Sequence, residues 1–171
     1  MSAGMVERES EGRNRAPGPS HVERRVYIHA SPQRVWATLH DADQVSALFT
    51  ELALGPADPS WPAAGSSRTG EAHLGLLRTA VRVESFEARP QTAFGIVVAA
   101  GSFTIEWNWR MTPLAGGTRV IHEGTFVTTD RWAGVLVRLG RESVGAIAEA
   151  HLRALKERAE NPAGEAAGPA A

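Results

Sequence analysis

Residues 101–128 read GSFTIEWNWRMTPLAGGTRVIHEGTFVT, and this stretch decides the fold. From Phe103 to Met111 every odd position is apolar (Phe103, Ile105, Trp107, Trp109, Met111) and every even position is polar (Thr104, Glu106, Asn108, Arg110). That alternation is the period of a strand with one buried and one wet face. The Gly116-Gly117 pair predicts a turn, because glycine takes positive φ without steric cost. The chain then returns over residues 118–126. If Met111 pairs with Val120, Trp109 faces His122 and Trp107 faces Gly124. The hairpin thus carries two tryptophans and a histidine on one inner face, and something else in the chain must cover that face.

Upstream, residues 66–73, 76–87 and 92–99 read as further strands, with Gly75, Pro90 and Gly101 at the joins. Residues 22–29 make an earlier strand, and residues 51–55 fit a short one. Ser31-Pro32 is a helix start, a capping hydroxyl followed by a proline whose missing N–H costs nothing there. That helix, 32–40, turns Val35, Trp36 and Leu39 inward. Asp41 with Gln44 has the form of a capping box for a second short helix through Phe49. Pro56, Pro59 and Pro62 make the next segment a loop.

Downstream, residues 130–160 form one long helix. Val144, Ile147, Ala148, His151, Leu152 and Leu155 trace an apolar stripe along its second half. At ~1.5 Å per residue it spans roughly 45 Å. It alone is long enough to cover the apolar face of a hairpin-connected sheet. The fold class is therefore α+β, a curved antiparallel sheet of about six to seven strands around a C-terminal helix. A gap between the two layers is where a small ligand would sit.

A chain of 171 residues suits one domain. Residues 1–20 and 161–171 are polar or Pro/Gly-bearing tails, too poor in apolar surface to offset the entropy of ordering. The domain is placed at 21–160. Net charge is −1 with 22% charged residues, which gives no electrostatic case for nucleic acid or an anionic membrane. Cysteine is absent, so disulfides and thiolate chemistry are excluded. No apolar run marks a signal peptide, and none reaches the ~18 residues of a membrane span. The expectation is a cytoplasmic protein, a monomer or weak homodimer.

The segments VYIHASPQRVWATLHDAD (26–43), WNWRMTPLAGGTRVIHEGTF (107–126) and AHLRALKERAE (150–160) together resemble the START-like helix-grip (SRPBCC) superfamily. Within it they are most similar to the polyketide cyclase/dehydrase and lipid-transport branch. The resemblance covers about residues 22–159. It implies the order β-α-α-β6-α around a deep, mainly apolar cavity. It also implies binding of lipids, polyketides or other hydrophobic molecules, with cyclisation or dehydration in some members. Residues 44–65 depart from the pattern, at the mouth of the implied pocket.

The candidate lining residues are Trp107, Trp109, Phe94, Phe103, Phe126, Val81, Val83, Leu48 and Leu139, with plain core packing as the competing reading. His122 is the sharpest candidate. Burial keeps an imidazole neutral near pH 7, so it could contact a ligand or take a proton beside a carbonyl. A core histidine satisfied by one hydrogen bond is the alternative, and no carboxylate to orient it can be named. Glu71 and His73 share a strand face and could add a polar spot, or lie in solvent. The six histidines lack metal-ligand spacing, and no nucleotide or acyl-transfer motif is present. Neither a metal nor a cofactor is expected. The expected partner is a hydrophobic small molecule, with polyketide cyclase/dehydratase activity using His122 as the alternative. A weaker reading docks the apolar helix start, residues 132–139, onto a protein partner.

Overall fold

The computed structural model describes residues 20–41, 47–74, 77–128 and 133–161, without the side chains of residues 20, 74, 77, 128 and 133–143. The alternating segments become β1 (Ser20–Ile28), β2 (Leu52–Leu54), β3 (Ser67–Leu74), β4 (Leu77–Arg89), β5 (Ala93–Ala100), β6 (Phe103–Leu114) and β7 (Gly117–Thr128). They form one sheet in the order β1-β7-β6-β5-β4-β3-β2, every neighbour antiparallel. The first strand therefore lies beside the last, and β1 and β2 are the two edges.

The β6–β7 register is the one the alternation implies: Met111 opposite Val120, Trp109 opposite His122 and Trp107 opposite Gly124. The turn is displaced by one residue. It lies at Ala115-Gly116, where Gly116 has φ +79°, and Gly117 already opens β7. Gly117 is needed for another reason. A Cβ there would sit 2.2 Å from the Ile28 carbonyl oxygen and 2.8 Å from the Tyr27 hydroxyl. That hydroxyl donates to Ala115 O at 2.7 Å and ties the turn to β1.

Helix α1 (Pro32–His40) starts as expected, with the Ser31 hydroxyl accepting from Arg34 N at 3.3 Å. It buries Val35, Thr38 and Leu39, while Trp36 is half-buried against Phe94. The second short helix falls largely on residues 42–46, outside the described residues; Ala47 and Leu48 are helical. Both expected tails lie almost wholly outside the described residues as well.

Helix α2 (Ala133–Glu160) packs on the inner face of the sheet, chiefly against β1 and β7. Its stripe of Val144, Ala148, His151, Leu152, Leu155 and Ala159 is buried. Among the described residues no helix is long and apolar enough to cross a membrane. The architecture is the expected helix-grip α+β fold. Its core lies between α2, α1 and the even-numbered positions of β1, β5 and β7 with the odd ones of β6.

Candidate functional site

Pleating sends Trp107 and Trp109 of β6 and His122 of β7 to the same inner face. The His122 ring is stacked between the two indoles, 4.1 Å from Trp109 with planes at 11° and 4.8 Å from Trp107 with planes at 29°. Trp107 folds into the space left by Gly124 opposite it. A Cβ on Gly124 would lie 2.4 Å from Trp107 Cζ3. The room beside that glycine is thus taken by the indole itself. Trp109 stacks on Phe94 at 5.9 Å and meets Phe49 edge-on at 5.7 Å.

His122 is 0% exposed, and both ring nitrogens are bonded. Nδ1 lies 3.2 Å from the Asn108 carbonyl oxygen, which can only accept, so Nδ1 carries the hydrogen. Nε2 lies 3.2 Å from His151 Nδ1 on α2. His151, 1% exposed, continues through Nε2 to Glu51 Oε1 at 2.7 Å, and the Glu51 side chain is 17% exposed. A polar chain thus crosses the apolar core from a backbone carbonyl, through two imidazoles, to a carboxylate at the edge of the fold.

The pKa of His122 is held well below its ordinary value, first by burial, then by the charge at His151, with the Asn108 carbonyl opposing. His122 is therefore neutral and its Nε2 accepts, so His151 Nδ1 donates. One further proton then occupies the contact between His151 Nε2 and Glu51. The unfolded chain takes up a proton on His122 below about pH 6.5 while the folded chain does not. The contribution of His122 to stability should thus be lost as pH falls through that value. Thermal melts from about pH 6.5 down to about pH 5 check this; a melting temperature rising on acidification over that range would contradict it.

The remaining expected residues are placed as follows. Phe94, Val81 and Val83 are buried in the core, as is Leu48. Phe126 is buried and Phe103 half-buried, their rings 5.8 Å apart on the same face. The side chain of Leu139 lies outside the described residues, as do the other side chains of the proposed docking segment 132–139. Glu71 and His73 are exposed and 3.7 Å apart, so they contribute nothing to the interior. Arg110 and Glu123 form an outer-face ion pair, as do Arg82 and Glu84 at 3.5 Å. Among the described residues, His21, Glu23 and Glu123 have metal-ligand atoms within 4.8 Å of one another. Glu23 and Glu123 are each already bonded to an arginine.

Sequence reasoning missed His151 and Glu51. His151 was visible only as a polar interruption of the α2 stripe. A histidine at such a position must find a partner, but its partner is 100 residues away in the chain. The buried indole Nε1–H of Trp109 has no hydrogen-bond partner among the described residues.

A family profile described as "Polyketide cyclase / dehydrase and lipid transport" matches residues 19–160. The chain belongs to this family. Solved structures agree on the fold. A Thermus thermophilus protein is 21% identical with a TM-score of 0.68, covering 84% of this chain and 99% of that one. A Rhizobium leguminosarum protein is 15% identical with a TM-score of 0.65, covering 84% and 96%. The di-domain ARO/CYC StfQ from the steffimycin biosynthetic pathway is 15% identical with a TM-score of 0.71. That match covers 85% of this chain and 52% of StfQ, so the chain spans about half of that protein. No curated protein matches in sequence. Membership of the polyketide cyclase/dehydrase and lipid-transport family supports a hydrophobic-ligand or cyclase role.

Proposed function

We propose that this protein binds a hydrophobic, ring-bearing small molecule (a polyketide, lipid or similar metabolite) between the aromatic face of the sheet and α2. The observation that carries the reading is the buried Trp109 Nε1–H, which has no partner among the described residues. A buried donor without an acceptor costs about 1–3 kcal/mol. A guest with a carbonyl or hydroxyl oxygen would supply the acceptor. Its rings would find aromatic surface beside Phe49 and Phe94, which favours offset or edge contacts.

The second reading is a cyclase or dehydratase in the same space with His122 as acid/base. Its support is the neutral state of His122 and the proton store at His151 and Glu51 behind it. Against it, His122 has both nitrogens bonded and both ring faces covered. Direct proton transfer to a guest would require His151 to leave. Binding is therefore the reading the geometry supports best.

The experiment is a titration of tryptophan fluorescence with an aromatic polyketide and, separately, a fatty acid. Saturable quenching is expected for at least one, with its amplitude cut by half or more in Trp109→Phe. No saturable change with either class would sink the proposal.

A further inference from the structure

We infer that the open edge of β1 is a self-pairing surface, which joins two copies of this chain antiparallel about a two-fold axis at Arg24. This goes beyond the proposed function and makes no use of a guest. β1 is the long free edge of the sheet, nine residues against three in β2. It keeps an unbroken register with β7 from Ser20 to Ile28, with neither the proline nor the bulge that ordinarily blunts an edge. α2 leaves that side open, since a groove lined by Arg25, Val26, Leu152 and Arg153 among others runs between the two elements.

The backbone limits which pairings can form. The Ile28 carbonyl oxygen turns toward β7, where a Cβ on Gly117 would come within 2.2 Å of it. Backbone groups alternate sides along a strand. Even positions of β1 therefore bond to β7, while His21, Glu23, Arg25 and Tyr27 aim their N–H and C=O outward. Two of those carbonyls already accept from a side chain, Tyr27 O from Lys156 Nζ at 2.7 Å and Glu23 O from Arg24 Nη1 at 3.0 Å. Each keeps a second lone pair. A second copy must thus set odd positions against odd positions.

Charge chooses among those registers. An axis at Glu23 or at Arg25 sets a like charge against itself, which is destabilising. An axis further out shortens the ladder and pairs no opposite charges. With the axis at Arg24, Glu23 of each copy faces Arg25 of the other, and Tyr27 faces His21. Glu23 has room for a second cation, because its own Arg25 takes only Oε1, at 2.6 Å. Its neighbour across β7 is another carboxylate, Glu123. On the inner side Val22 faces Val26 of the second copy. The two Arg24 side chains at the axis are each held by their own Glu149, at 2.7 Å.

The test is sedimentation equilibrium of the full chain over a range of concentrations, with charge reversals at the paired positions. The wild-type protein should pass reversibly from monomer to dimer. Glu23→Arg and Arg25→Glu should each weaken the dimer about tenfold or more, because two attractive cross-strand pairs become repulsive. An equimolar mixture of the two variants should form a heterodimer, and the double variant Glu23→Arg with Arg25→Glu should recover self-association. Arg89→Glu, the same charge change on β4 away from the edge, should leave the dimer intact. Amide hydrogen exchange needs no variant: the N–H groups of Glu23 and Arg25 should gain protection as concentration rises. A wild-type protein that stays monomeric at every concentration overturns the proposal, as does a dimer whose Glu23 and Arg25 amides exchange as fast as in the monomer. Failure of the two folded variants to associate when mixed also overturns it. Protection of those amides already in the monomer would put another segment of the same chain on the edge, and that result overturns it as well.

Discussion

Gly124→Ala should lower stability by about 1–3 kcal/mol, the range for overpacking a filled core. The new methyl would lie 2.4 Å from Trp107 Cζ3, 2.9 Å from Cε3 and 3.1 Å from Val22 Cγ2. The indole has no free direction. It is 2% exposed, stacked on His122 and met edge-on by His151 at 5.1 Å. Moving it would disturb the ring sandwich that positions His122. Urea unfolding should show a lower midpoint with an unchanged slope. Gly145→Ala is the control. Its Cβ meets only the tip of the Arg24 side chain, Nη2 at 2.8 Å, and alanine gains about 1 kcal/mol of helix propensity. Equal losses at the two glycines would refute the packing argument.

His151→Leu should cost more, about 3–5 kcal/mol, the range for removing one member of a buried charged pair. The substitution leaves His122 Nε2 without a donor in a site where no water reaches it. It also leaves the Glu51 carboxylate facing a hydrocarbon. The informative comparison is the double variant His122→Leu with His151→Leu. Replacing both partners by apolar groups removes the orphaned nitrogen, so the double variant should be less destabilised than the sum of the single ones by 1 kcal/mol or more. Strict additivity in denaturant melts would mean that the two imidazoles are not bonded to each other.

The hairpin shows how much of this protein is legible in its residues. Alternation from Phe103 to Met111 fixes which side chains share a face, and a period of two excludes any slip by one residue, which would turn Val120 and Phe126 outward. The order of strands and the closing helix follow because a one-faced sheet needs a cover. The same logic placed the turn one residue late, since two adjacent glycines look alike in sequence. One of them serves positive φ and the other a close approach to the Ile28 carbonyl. The polar chain was not legible. His122 and His151 each sat on an apolar stripe, and Glu51 lay in a segment read only as a possible strand. Periodicity says which face a residue occupies, not which distant residue meets it there. The Trp109 indole belongs to the same class: its facing was readable, its missing acceptor was not.

The most direct test of the binding reading is the Trp109 indole Nε1–H resonance, followed in a 15N-labelled sample as a hydrophobic carbonyl-bearing ligand is added. Binding against the aromatic face predicts that this resonance moves to the position of a hydrogen-bonded indole and that its exchange with water slows, with saturation matching the fluorescence titration. A ligand that saturates the protein while the Trp109 indole resonance stays where it is in the free protein would contradict the account.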